Sequence, residues 1–319
     1  MADDRAREVE HRTTVEAPAD RVYDLIAQVE NWPRLFPPTV HVDHVERGDT
    51  GADTAEERIR IWATAGGEVK NWTSRRELDR TRRRIRFRQE VSSHPVASMG
   101  GTWIIEPVTE GRCRVRLLHD YRAVDDDPGH LAWIDQAVDR NSTAELEALR
   151  TSAERAAGSP ETVLSFEDTV EIAGSAKDVY DFLNEAQHWK ERLPHVAEVR
   201  LTEETPGLQV LRMDTRTKDG STHTTESVRV CFPHRFIVYK QLVLPALMHL
   251  HTGYWELTEH DRGTTATAQH TVVIATDRIT GVLGEGAGLE QARTFVRNAL
   301  GGNSTATLGH AKAYAEARR

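Results

Sequence analysis

The sequence predicts an α+β protein made of two tandem copies of one domain, each a curved antiparallel sheet wrapped around a long C-terminal helix. Three observations predict it. The chain carries an internal repeat, both halves show the same order of strand and helix patterns, and each half ends in a long helical stretch. The repeat spacing is near 157 residues. Val22-Tyr23-Asp24-Leu25-Ile26 matches Val179-Tyr180-Asp181-Phe182-Leu183, and Trp32 and Trp189 follow at the same distance. Thr14-Val15-Glu16 matches Thr169-Val170-Glu171, and Gly101-Thr102-Trp103 matches Gly253-Tyr254-Trp255. Asn141-Ser142-Thr143-Ala144 matches Asn303-Ser304-Thr305-Ala306. Copies of this size suit tandem domains rather than a solenoid, whose repeats are shorter. The predicted domains are 1–157 and 158–319, joined by a linker over 156–161 that contains Gly158-Ser159-Pro160.

Each half begins with a strand, over 8–16 and 163–172. A short amphipathic helix follows, over 19–29 and 176–186, with Val22, Leu25, Ile26 and Val29 at helical spacing. Several strands come next. Among them Arg84-Ile85-Arg86-Phe87-Arg88 alternates polar and apolar, as a half-buried strand does. The last helix of the first half opens on Asp127 as N-cap and Pro128 in the first turn. Its apolar face is Leu131, Ile134, Val138, Leu146 and Leu149. A strongly curved sheet closed by such a helix leaves a cavity between them.

Composition narrows the function. The chain has 319 residues, is 38% hydrophobic and 29% charged, and carries a net charge of −9. That charge divides almost evenly, −5 up to residue 157 and −4 beyond it. Neither half is basic, which argues against nucleic acid as a partner. Apolar runs are strand-length, so no membrane partner is expected. The polar start Met1-Ala2-Asp3-Asp4-Arg5 does not read as a secretory signal, and a cytoplasmic location is the default expectation. Two cysteines, one per half, make a disulfide framework improbable. No HxxxH or HExxH spacing occurs, so no metal site is predicted.

Several residues could do chemistry. Trp72, Ser74 and Arg76 share one face of a strand-like segment. If that face lines the cavity, Arg76 stabilises a developing enolate and Ser74 holds a substrate oxygen or a water. Otherwise the arginine sits on the outer face of a twisted sheet. Trp32, Trp62 and Trp103 either wall a flat apolar pocket or pack the core. Met99 reads as wall or gap-filler. Asn141 follows Val138 by three residues; its amide either enters the cavity or satisfies a nearby backbone group. His119 and Asp120, adjacent on a strand, face opposite sides and make a poor acid–base pair. His94, His249 and His251 read as isolated. Eight arginines from Arg75 to Arg88 form either a solvated hairpin or a docking surface for an acidic protein.

Taken together, Asn31-Trp32-Pro33-Arg34-Leu35-Phe36, Trp72-Thr73-Ser74-Arg75-Arg76, Met99-Gly100-Gly101-Thr102-Trp103 and Asn141-Ser142-Thr143 resemble the polyketide aromatase/cyclases of bacterial type II polyketide synthases. These belong to the START-like (Bet v 1-like), helix-grip superfamily, and the duplication resembles their di-domain members. The resemblance implies a pocket for a poly-β-ketone tethered to acyl carrier protein, with other synthase subunits as partners. It implies one intramolecular aldol cyclisation, with first-ring closure between carbons 7 and 12, then dehydration to an aromatic ring. Some members act on already cyclised chains reduced at carbon 9. No cofactor is implied, since nothing is oxidised or reduced overall. The family's pocket serine and arginine fall on Ser74 and Arg76, its wall tryptophans on Trp32, Trp72 and Trp103, and its helix asparagine on Asn141. A pocket tyrosine of single-domain members falls on Thr39.

The repeat alignment sets Thr224, Glu226 and Val228 opposite Trp72, Ser74 and Arg76, while Trp189, Trp255 and Asn303 remain. On that alignment the second pocket lacks the arginine, and Glu226, with a pKa raised by an apolar cavity, is its candidate acid. Two non-enzymatic readings compete: a carrier for a lipid or polyketide, and an interaction protein of the synthase.

Overall fold

Strict alternation sets the sheets. In the computed structural model, which describes residues 6–48, 53–65, 68–158, 160–216, 220 and 222–319, Ile85 is fully buried while Arg84, Arg86 and Arg88 face outward. The period-two placement of strand side chains requires this division. It recurs along 7–15 and 163–172, whereas 227–231 and 237–240 are buried on both faces.

The chain divides into two compact units, Met1–Pro160 and Glu161–Arg319. In the first, β1 (Arg7–Val15) leads into α1 (Ala19–Ala27) and the four-residue α2 (Trp32–Leu35). Six strands follow: β2 (Thr39–Glu46), β3 (Thr54–Ala65), β4 (Glu68–Asp79), β5 (Arg84–Gln89), β6 (Val96–Thr109) and β7 (Arg112–Ala123). The long helix α3 (Pro128–Gly158) closes the unit. All seven strands form one antiparallel sheet in the order β1-β7-β6-β5-β4-β3-β2. Every connection between sequential neighbours from β2 to β7 is therefore a hairpin, and only β1 crosses to the far edge.

The second unit repeats the plan. It contains β8 (Val163–Ile172), α4 (Ala176–Asn184), α5 (Trp189–Arg192), β9 (Val196–Thr205), β10 (Leu208–Arg216), β11 (Thr222–Phe232), β12 (Phe236–Val243), β13 (Met248–His260) and β14 (Gly263–Ile274). A short α6 (Ile279–Leu283) precedes the closing helix α7 (Leu289–Glu316). Its sheet order, β8-β14-β13-β12-β11-β10-β9, is that of the first. The predicted fold class is the observed one.

Asp127 caps α3 as the sequence indicates, its Oδ1 accepting from the His130 amide at 2.8 Å. Ile134, Val138, Leu146 and Leu149 are buried along one face of α3. Within the predicted linker 156–161, the helix runs on to Gly158, and the division between the units falls after Pro160. Alanine-rich sequence ahead of the Gly-Ser-Pro signal favours helix over loop. Ser159 lies outside the described residues. Cys113 and Cys231 are free and buried. Among the described residues, no helix is long and apolar enough to cross a membrane.

Gly101 on β6 shows how tightly the sheet is filled. A Cβ there would meet the Leu118 carbonyl oxygen at 2.1 Å and the Phe87 ring at 2.6 Å. Gly101→Ala is expected to destabilise the first unit by about 1–3 kcal/mol, the usual range for overpacking. The chemical-denaturation midpoint of the purified variant checks it.

Candidate active site

Helix α1 ends at Ala27 with its last carbonyls lacking partners of their own. Arg76 on β4 supplies them. Its Nη2 donates to the Ile26 carbonyl at 2.7 Å and its Nη1 to the Ala27 carbonyl at 3.2 Å. Nη1 also donates to Glu57 Oε1 at 2.5 Å from the neighbouring strand β3. The Trp32 indole lies 5.0 Å from the guanidinium, and its own Nε1 donates to Ile26 at 3.1 Å. Arg76 is 1% exposed. Burial is the larger influence and lowers its pKa, and Glu57 works against that shift. A cation at a helix C-terminus is favourable in itself, and this one is also paired.

The strand face predicted to turn inward does so. Ser74 is buried, with its hydroxyl donating to the Arg88 carbonyl at 3.2 Å, and Trp72 packs beside Val29, Val42, Ile59 and Ile61. Trp103 is buried and stacks on Phe36 with ring centroids 6.2 Å apart. Thr39 is buried at the start of β2. Met99 is half-buried, and its sulfur accepts from Gln89 at 3.9 Å. Three expectations change. Arg76 has its donors engaged by protein groups, so it is a strut before it is a ligand. Asn141 is exposed; Ser142, one residue on, is 1% exposed and turns inward, its Oγ 3.4 Å from His119 Nδ1. Trp62 points to the opposite face, under Arg60 and beside His41.

His119 belongs to this interior, although its sequence neighbour Asp120 faces out to Arg88. Its ring meets Phe87 edge-on at 5.5 Å. Burial pulls the imidazole down to about 4, and elsewhere on α3 it pushes Glu145 up to about 7.

The second unit overturns the alignment made from sequence. Arg76 pairs with Phe87, and Phe87 with Gly101; Arg229 pairs with Tyr239, and Tyr239 with Gly253. The counterparts of Trp72, Ser74 and Arg76 are therefore Thr225, Ser227 and Arg229. The β4–β5 hairpin is one residue longer than β11–β12, so the repeat offset changes there. A slip of one residue exchanges the two faces of a strand. Hence Val228 and Glu226, read as pocket positions, lie on the other face. Glu226 reaches Arg212 at 3.5 Å and is not a cavity acid. The second unit keeps its arginine: Arg229 is 2% exposed, its Nη2 donates to the Leu183 carbonyl at 2.6 Å, and it lies 5.4 Å from the Trp189 ring.

A cavity of about 130 Å³ occupies this second interior. Trp189, Trp255, Leu211 and Met213 give it apolar walls; Thr225, Ser227, Arg229, Gln241, Ser304 and Thr307 give it polar ones. Asn303 borders it but is exposed. At one side stand Tyr239, His251 and His270. The Tyr239 hydroxyl lies 2.9 Å from His270 Nδ1, and His251 Nε2 lies 3.0 Å from the same atom. Sequence reasoning missed this cluster because its members come from three strands, β12, β13 and β14. Burial lowers His270 to about 4 and His251 to about 3, and it raises the Tyr239 hydroxyl. At neutral pH the pair is uncharged. Three buried atoms here have no hydrogen-bond partner: Arg229 Nη1, Gln241 Oε1 and His270 Nε2.

A duplicated antiparallel sheet gripping a long helix over a partly polar interior defines a tandem helix-grip protein. Residues 6–154 and 163–316 each match the profile of the family described as polyketide cyclase / dehydrase and lipid transport. The chain belongs to that family. It is 52% identical to the granaticin polyketide synthase bifunctional cyclase/dehydratase of Streptomyces virginiae, over 94% of this chain and 97% of that one. It is 48% identical to the actinorhodin polyketide synthase bifunctional cyclase/dehydratase of Streptomyces coelicolor, over 96% of each. The crystal structure of the di-domain ARO/CYC BexL, from the BE-7585A biosynthetic pathway, superposes with a TM-score of 0.90 at 64% identity, covering 98% of this chain and all of that one.

Two outcomes follow from the geometry. Glu57→Ala leaves a buried guanidinium without its carboxylate and is expected to cost about 3–5 kcal/mol, read from the denaturation midpoint. Acid should act unevenly. His251 and His270 are held below their unfolded value of 6.5, so the unfolded state binds more protons and stability falls as pH drops from about 6.5 towards 4. Each contributes a slope of about 1.4 kcal/mol per pH unit. In the first unit Glu145, held above its unfolded 4.5, has the opposite sign between 4.5 and 7 and offsets His119. Hydrogen exchange corrected for intrinsic rate should show β11–β14 losing protection before β4–β7.

Proposed function

We propose that this protein is a polyketide aromatase/cyclase. It takes a poly-β-ketone held on acyl carrier protein, directs aldol closure of the first ring between carbons 7 and 12, and removes water to make that ring aromatic. One observation carries the reading. A ring-sized cavity with indole walls is lined by three residues that each carry an unpartnered buried polar atom, a guanidinium nitrogen, an imidazole nitrogen and an amide oxygen. Buried polar groups without partners are rare in folded proteins, so three of them on residues lining one cavity support a ligand there. The relatedness to polyketide synthase cyclase/dehydratases supports the substrate class.

The chemistry needs little more than this. Each methylene of a poly-β-ketone lies between two carbonyls, so its protons are acidic and enolates form readily. The obstacle is that many folded conformers can cyclise. A shaped aromatic pocket selects one near-attack geometry, an effect worth roughly 7–11 kcal/mol in well-oriented intramolecular systems. In the first unit Trp72, Trp103, Met99 and Thr39 supply shape, with Ser74 and Ser142 as hydroxyls. In the second, a guanidinium stands where an enolate oxygen develops, and His270 moves the proton. No net oxidation occurs, so no cofactor enters the scheme.

A second reading has its own support. An apolar cavity of about 150 Å³ holds benzene, and this one is of similar size. That favours action on a ring already closed, including one reduced at carbon 9. A purely binding role accounts less well for the imidazole pair.

Reconstitution separates these. Added to a minimal synthase, with and without its ketoreductase, the protein is expected to divert shunt products to a single first-ring aromatic compound. His270→Phe should lower that product by about 10²-fold or more, the range for loss of an acid–base group. An unchanged product mixture on adding the wild-type protein would remove the enzymatic assignment.

A further inference from the structure

The two buried arginines occupy the same place in the repeat but differ in one neighbour. Glu57 faces Arg76 across β3–β4, and Gln209 faces Arg229 across β10–β11. Glu57 neutralises its arginine directly. Gln209, fully buried, turns its amide nitrogen away, donating to the Asn184 carbonyl and Oδ1, each at 3.2 Å, and to Glu203 Oε2 at 2.8 Å. Three acceptors fix that orientation. The Gln209 amide oxygen Oε1 is left without a partner, and so is Arg229 Nη1, whereas Arg76 Nη1 has two. Groups near Arg229 that bear on its charge are the Cys231 thiol, the Tyr180 and Tyr239 phenols and the exposed Glu203. Arg229 lines the cavity, as do Tyr239, His251 and His270.

We propose that the exchange of Glu57 for Gln209 leaves one nitrogen of the second arginine, which still caps its helix, as an oxyanion site, and that the C-terminal cavity carries out the water-eliminating step on a single closed β-hydroxyketone ring. This rests on the aromatase/cyclase reading and assigns one of its steps. His270 Nε2 takes the proton from the carbon between carbonyl and carbinol. The C–H electron pair forms an enolate whose oxygen sits on Arg229 Nη1. The enolate then re-forms its C=O, a C=C bond forms, and the carbinol C–O bond breaks. His270 returns the same proton to the departing hydroxide, so the products are enone and water, and the imidazole ends as it began. Tyr239 and His251 hold His270 through Nδ1. Gln209 acts only through Arg229 and is a positioning residue.

The test uses the full chain with two substrates and one probe. 4-Nitrophenol, a single ring whose anion absorbs visibly, reports the oxyanion site. Bound to the wild type, it is expected to ionise about one pH unit lower than in solution. Arg229→Gln should abolish that shift, and so should Gln209→Glu, which leaves the arginine in place and restores its counter-ion. With a synthetic pre-closed β-hydroxyketone ring, Arg229→Gln should lose about 10²-fold or more in dehydration rate, and Gln209→Glu at least 10-fold. If Arg229→Gln does not fold, Gln209→Glu carries the result alone. An unshifted probe on the wild type, or dehydration unchanged in folded Gln209→Glu, overturns the assignment. Wild-type protein that turns over neither that ring nor a carrier-bound chain overturns the aromatase/cyclase reading instead.

Discussion

A guanidinium buried beneath the end of a short helix is the contact on which each unit depends. Helix α1 has nine residues and α4 has nine, too few to be stable alone. Each ends in carbonyls that point into the protein rather than into water. Arg76 and Arg229 satisfy those carbonyls from the middle of the sheet, and the following tryptophan, Trp32 or Trp189, covers the cation and bonds to the same turn. One residue thus ties helix to sheet and fixes the roof of the interior. Because the cation must be there for the fold, evolution has only to change what surrounds it to make it useful for chemistry.

That is how two copies of one fold come to differ. The first interior pairs its arginine with Glu57 and sets His119 beside the Ser142 hydroxyl. The second sets an amide in place of the carboxylate and two neutral imidazoles against a phenol. Desolvation is the common cause of the histidine shifts in both units. What differs is the group that faces the buried arginine, a carboxylate in the first unit and an amide in the second.

Most of the fold was legible in the chain. Repeated Val-Tyr-Asp helices, paired tryptophans and alternating strands specify local structure, and their shared order specifies topology. The first unit's strand face was legible too, since Trp72, Ser74 and Arg76 follow from period two. Sequence could not show that Arg76 would spend its donors on Ile26, Ala27 and Glu57, because those contacts cross some twenty to fifty residues. Asn141 was misplaced by a single helical position: 3.6-residue periodicity sets Ser142, not Asn141, on the line from Val138 to Leu146 and Leu149. The second site failed for a different reason. Matching the halves at one fixed offset through β11 overlooked one extra residue in the first hairpin, and so Val228 was read where Arg229 belongs. Alternation in Val228-Arg229-Val230 was the available signal.

That hairpin also says where the architecture is forgiving. On either side of it, ladder pairing and the helix-end cap hold each strand in place independently. A residue gained or lost at the tip therefore moves no inward side chain. Length variation can accumulate at this bend while the chemistry a few ångströms below keeps its stereochemistry, which makes the tip between β4 and β5 a natural point for insertions or grafted peptides.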